Sequence, residues 1–288
     1  PCRGLIVTIR THTMAPIHEA ARTSDVEGIR LALFEDKVPP DLLTDDAEHH
    51  YFIRFAAGLT PLLIVCNHAK PDVPGLPLAS SATCVRELLA AGASVHVRAE
   101  SDENSTPLIY AADNGVAQIV KMILDVGAPV DAVDDKGRSA LHWAARFGHV
   151  ACVAMLLKAG AEVDRKSPAI EHLHSTTPLD YAVREFRHRV YALLLRAGAA
   201  LPTAYHENLG GFAEHKLLGG PYFVRIAEAG GFPAYERLQR GKLIATATKM
   251  LGHRLPPSII PTVVKFWGHP GEYASRGHDP WNPGPVFY

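Results

Sequence analysis

The chain has 288 residues, 47% of them hydrophobic, with 29 Lys and Arg against 30 Asp and Glu and a net charge of -1. So even a balance argues against a whole-molecule nucleic-acid or membrane-surface binder, which normally carries a one-signed surplus. No apolar run reaches the roughly 18–20 residues of a membrane span, and the four cysteines, Cys2, Cys66, Cys84 and Cys152, are too scattered for a disulfide framework or a paired-cysteine metal knuckle. They suit a reducing cytoplasm or nucleus.

Residues 1–13 read as an N-terminal arm. A weak helical pattern follows, Ala15-Pro16-Ile17-His18-Glu19-Ala20-Ala21, then Val26, Ile29 and Leu33 at helical spacing. Pro39-Pro40 and the polar stretch 44–50 read as a loop or finger. A second copy starts at Thr60-Pro61-Leu62-Leu63. After the proline-rich stretch 70–77, which cannot be helical throughout, it resumes at Thr83–Leu89 and closes with Ala91-Gly92-Ala93.

The pattern then sharpens. Thr106-Pro107-Leu108-Ile109-Tyr110-Ala111-Ala112, Ser139-Ala140-Leu141-His142-Trp143-Ala144-Ala145 and Thr177-Pro178-Leu179-Asp180-Tyr181-Ala182 align with one another. Each is followed by a second apolar stretch ending in Gly-Ala, at Gly127, Gly160 and Gly198. Starts at Pro16, Pro61, Pro107, Ala140 and Pro178 are spaced by 45, 46, 33 and 38 residues. A recurring period of this length marks a repeat architecture.

Each unit is legible as two short helices. Thr60, Thr106, Ser139 and Thr177 supply an N-cap hydroxyl, and three are followed by proline at the first helical position. The Ala pairs allow close helix approach. Val120, Ile123 and Leu124, then Val153, Leu156 and Leu157, then Tyr191, Leu194 and Leu195, predict one buried face on the second helices. The glycines stop those helices. One such unit cannot pay the backbone entropy of its own ordering, about 1–2 kcal/mol per residue, so neighbours must share an apolar seam.

These units resemble the ankyrin repeat, whose hairpin opens T-P-L-H-x-A-A and is preceded by a β-turn finger. The resemblance covers about 14–201 and implies an all-α ankyrin-repeat solenoid. Its tying histidine occurs at His18 and His142, while Leu63, Ile109 and Asp180 stand elsewhere. Phe186 replaces the glycine found at Gly115 and Gly148, so the last interhelix turn should differ. The finger at 165–174 is enlarged.

A linker is expected at 202–220, then a helical C-terminal region at 221–267, serving as cap or recruitment module, and an extended tail at 268–288. In the helix from Pro233 to Leu251, the residues Tyr235, Leu238, Leu243, Ile244 and Ala247 would form an apolar face. A further helix is expected from Pro256 or Pro257 to Trp267.

No phosphate loop, dinucleotide fingerprint, nucleophile elbow or zinc-protease motif occurs. No enzyme activity, cofactor or metal is expected. His172 and His174, beside Glu171, read better as a solvated finger than as metal ligands, and His49-His50 likewise. Tyr110, Trp143 and Tyr181 share one slot, where they either line the concave surface as an aromatic ladder or are buried between helices.

The resemblance places partner contacts at finger tips and at the end of each first helix. Here these are Asp102, Glu103, Asp113, Asn114, Asp135, Lys136, Arg138, Arg146, Phe147, His174 and Arg184, running from acidic to basic. Arg146 and Phe147 lead, because arginine and aromatic side chains dominate hot spots. The expected function is a monomeric, non-enzymatic scaffold binding a protein or peptide on the concave face, with no nucleic acid or membrane. The alternative is a ubiquitin-ligase substrate adaptor recruiting through Leu255-Pro256-Pro257 and Val263-Val264, although the cysteine expected between Thr246 and Leu255 is missing.

Overall fold

The computed structural model describes residues 16–43, 59–69, 78–99, 103–168, 176–201, 220–251 and 258–259. The arm, the stretch 44–58, the proline-rich 70–77, the finger tip 169–175, the linker, the tail and, but for 258–259, the helix expected near 256–267 lie outside those residues. The chain divides into two units, 1–140 and 141–288.

The first unit holds α1 (Pro16–Thr23) and α2 (Val26–Arg30), α2 running on into a single π turn at Leu31–Glu35. Then come α3 (Pro61–His68), α4 (Leu78–Ala90), α5 (Pro107–Asp113) and α6 (Ala117–Asp125). First helices pack on first helices, α1 on α3 and α3 on α5. Second helices pack on second helices, α2 on α4 and α4 on α6. The long insertions therefore do not interrupt the stack.

The sequence of α3 shows why. Pro61 to Cys66 are all buried, because this helix has a neighbour on either side as well as its own partner α4. A helix apolar all round belongs in such a place.

The caps are where the hydroxyls predict them. Thr60 accepts from the Leu63 N–H and Thr106 from the Ile109 N–H. Thr177 accepts from the Asp180 N–H while the Asp180 carboxylate accepts from the Thr177 N–H, a reciprocal capping box. Second helices end alike. At Gly127, φ +94°, the glycine N–H donates to Leu124 and the Ala128 N–H to Ile123; Gly92, Gly160 and Gly198 repeat this pattern. It is the left-handed termination that glycine permits without strain.

The second unit opens with α7 (Ala140–Phe147), followed by α8 (Val150–Lys158), α9 (Pro178–Arg184) and α10 (His188–Arg196). It ends with α11 (Gly220–Glu228) and α12 (Phe232–Leu251). α10 packs on α8, α9 and α12, and α12 on α11. The Tyr191 ring on α10 lies 5.7 Å from that of Phe223 and 6.3 Å from that of Tyr222, both on α11. Arg196 pairs with Glu236 at 3.0 Å. Phe223, Ile226 and Phe232 are buried.

Three expectations are corrected. The turn at Phe186 does not differ from its counterparts. Phe186 takes φ +55°, its N–H donates to Val183 and the Arg187 N–H to Ala182, as Gly148 and His149 bond to Ala145 and Ala144. The repeat geometry has imposed a glycine conformation on a phenylalanine. Secondly, Leu238 does not join the apolar face of α12: it is 52% exposed, and of the five residues expected on that face Ala247 alone is buried, packed by Leu243 and Ile244. Thirdly, the second-helix faces are uneven. Leu124 and Leu157 are half-buried, whereas Leu195 is buried on the helix that also meets α12.

Candidate partner-binding surfaces

Fingers in both units are pinned by single antiparallel bridges, Ala99 with Ser105, Val133 with Ser139 and Ser167 with Thr176. In the first unit the finger tips are interlocked. Asp134 accepts from the Lys136 and Arg138 N–H groups at 2.9 Å each and from Arg138 Nε at 2.8 Å. Glu103 reaches from the preceding finger to pair with both Lys136 and Arg138. Asn104 donates to Asp135 at 2.8 Å, and the Asp135 N–H donates to the Glu103 carbonyl at 2.8 Å. Burial works to raise the Glu103 carboxyl, but the hydrogen bond from Lys136 and the charges of Arg138 and Lys136 outweigh it, leaving the group below the usual glutamate range.

This places several predicted contact residues. Arg138, expected at the binding edge, is drawn inward: its side chain is 9% exposed beside the fully buried Asp134. Asn114 is also buried. Its side-chain amide donates to the Cys66 and Asn67 carbonyls at 2.9 and 2.8 Å, closing the open end of α3. Asp113 is half-buried, and Asp135 stays exposed. Asp102 and His174 lie outside the described residues, as do His172 and His49-His50. His18 Nε2 bonds to the Leu42 carbonyl at 2.8 Å, the loop tie that the family resemblance implies.

The second unit presents a different surface. The Trp143 and Phe147 rings lie nearly parallel, 6.1 Å apart at 8°, one helical turn apart on α7. The Arg146 guanidinium lies 5.3 Å from each ring centroid. Arg184 sits 4.7 Å over Tyr181. The Glu185 carboxylate lies 3.9 Å from Arg146 Nε and 3.4 Å from Arg184 Nε. Arg187 Nε donates to the Arg146 carbonyl at 2.9 Å, and its stem covers Gly148, where an added Cβ would meet Arg187 Cδ at 2.8 Å. Phe147 is 39% exposed and Phe186 is 42% exposed. Arg146, Phe147 and Arg184 thus lie together. Arg187 and Phe186 flank the cluster without standing at expected contact positions; for Phe186 the signal in the sequence is a phenylalanine in a glycine slot. Of the two readings of the aromatic slot, burial holds for Tyr110 and Tyr181, while Trp143 is half-buried.

Layered hairpins with bridged fingers, glycine-stopped second helices and a histidine-tied loop agree with the ankyrin resemblance. Residues 76–167 match the family model of ankyrin repeats, in three copies. That stretch of the chain is built of ankyrin repeats. Among curated proteins none matches it. The hairpins α1–α2 and α9–α10 lie outside the matched stretch and carry the same pattern in the structure. Ankyrin repeats serve protein–protein interaction, and the solenoid is all-α. Its buried thiols are unsuited to nucleophilic work, since burial pushes Cys152 up to about 11 and Cys84 up to about 12. Among the described residues no helix is long and apolar enough to cross a membrane.

Proposed function

We propose that this ankyrin repeat protein is a non-enzymatic scaffold that binds a protein or peptide through concave-face positions. The arginine–aromatic cluster around Arg146 and Phe147 is its principal contact. The observation that carries this reading is a phenylalanine 39% exposed at the end of a first helix, stacked against a tryptophan and an arginine rather than withdrawn into the core. Arginine and aromatic groups held in place by their neighbours lose little entropy on binding. The cluster stands with Arg184 as the working site.

The test is quantitative affinity capture by the full chain and by a variant carrying both Arg146→Ala and Phe147→Ala. Loss of the main bound protein with an unchanged melting temperature is the expected result. Equal capture by both would overturn the assignment.

We infer a solenoid spanning 14–201 and a cap in the helical region 221–267. The buried seam of Tyr191, Phe223, Ile226 and Phe232 supports capping, because the last hairpin of a stack needs its apolar wall covered. The recruitment alternative draws on 255–264, of which only 258–259 are described. Truncation after residue 201 separates the two: a cap predicts loss of solubility, a recruitment module a folded stack lacking one partner. A monomer in the cytoplasm or nucleus completes the reading, supported by the free, buried Cys66, Cys84 and Cys152.

A further inference from the structure

The interhelix turns of the second unit concentrate one sign of charge. The segments 146–149 and 184–189 hold Arg146, Arg184, Arg187 and Arg189 and a single carboxylate, Glu185. Glu185 lies 3.9 and 3.4 Å from the nearest arginine nitrogens. Those distances are too long for strong hydrogen bonds, so one carboxylate leaves donor capacity on two guanidiniums. Each guanidinium is held over a ring, Arg146 by Trp143 and Phe147 and Arg184 by Tyr181. A planar, pre-positioned guanidinium is suited to bidentate pairing with a carboxylate.

Phe186 supplies the second observation. A phenylalanine at φ +55° is strained by about 1–3 kcal/mol. Its ring is 42% exposed. Glycine occupies the matching place at Gly115 and Gly148, so the fold itself does not demand an aromatic ring there. The ring, between Glu185 and Arg187 in the chain, adds exposed apolar surface to this arginine-rich turn.

We propose that this edge, formed by Arg146, Phe147, Arg184, Phe186 and Arg187, is a docking site for an acidic peptide segment carrying at least one large apolar side chain. Carboxylates pair with Arg146 and Arg184, and the apolar side chain packs on Phe147 and Phe186. The near-zero net charge of the whole chain favours a local acidic peptide over a nucleic-acid backbone, which is read by extended basic surfaces. This inference deepens the scaffold reading and rests on it.

The full chain is used to select from a phage-displayed library of random 12-residue peptides. A synthetic peptide from the enriched set, labelled with fluorescein, is then titrated by anisotropy. Enriched peptides are expected to be net acidic with a recurrent aromatic or leucine. The Arg146→Gln and Arg184→Gln double variant should bind about tenfold or more weakly, Lys136→Gln as wild type. Raising NaCl from 50 to 500 mM should weaken wild-type binding, a measurement independent of any variant's folding. Neutral or basic peptides, or acidic peptides that depend on Lys136 instead, would overturn this site and leave the scaffold reading standing. No enrichment over empty beads would overturn both. A labelled 12-nucleotide oligo-dT that binds more tightly, with the same arginine dependence, would replace the peptide with nucleic acid.

Discussion

Two edges of this molecule carry the same residue types and use them in opposite ways. At the fingers of the first unit, Glu103, Asp134, Lys136 and Arg138 neutralise one another across adjacent repeats. At the turns of the second unit, Arg146 and Arg184 share one carboxylate, Glu185, and lean on aromatic rings. The difference is one of desolvation. Arg138 is packed beside a fully buried Asp134, where an unpaired charge would be costly, so its partners are supplied from within. Arg146 remains partly exposed, where water keeps an excess charge affordable and a partner can reach it. An arginine at a predicted contact position is therefore informative only once its burial is known.

The largest expected break in this contrast is Arg138→Met. It leaves the buried Asp134 carboxylate without its guanidinium and should cost about 3 kcal/mol in urea unfolding. Arg146→Met, losing an exposed cation–π contact, should cost no more than about 1 kcal/mol. Comparable losses would mean that both edges are structural.

Gly148→Ala comes next. Its φ is +79° and the new methyl would meet Arg187 Cδ at 2.8 Å. A loss of about 1–2 kcal/mol is expected by thermal melting, together with weaker binding of the acidic peptide as Arg187 is pushed aside. Phe186→Gly, by contrast, should raise stability by about 0.5–1 kcal/mol through relief of the left-handed strain, while weakening that peptide. A phenylalanine that stabilises the turn would contradict the account of its exposure.

Acidification separates the two units more gently. Burial holds the His188 imidazole below its ordinary range. Protonation then favours the unfolded chain, and stability from this group falls as pH drops through the ordinary histidine range. Glu103, held low, contributes stability that is present above the ordinary glutamate range and lost as pH falls through its folded value. His188→Gln should flatten the first loss and Glu103→Gln the second, in stability measured against pH.

Much of the fold was legible because its signals are local. A threonine caps the N–H three residues on, a proline occupies a first turn that needs no donor, and a Gly-Ala pair closes a helix by bonds reaching back three and five residues. None of these needs another repeat to be recognised. The resemblance to ankyrin hairpins and the all-α solenoid follow from repeating them.

The site was legible in composition but not in fate. Arg138 and Arg146 looked alike, and so did Tyr110 and Trp143. Asn114 looked like a polar helix end awaiting a partner, yet its amide closes α3 from the neighbouring hairpin. The Phe186 substitution was visible, but not that the turn would keep the glycine conformation.

What the sequence determined, then, was the repeating hairpin, because caps, stops and apolar period act within a few residues. Which side chains are neutralised, buried or left to solvent was decided by the tertiary structure alone. Burial and ion pairing depend on the next hairpin in space, and Asn114 meets the Cys66 carbonyl across 48 positions of chain.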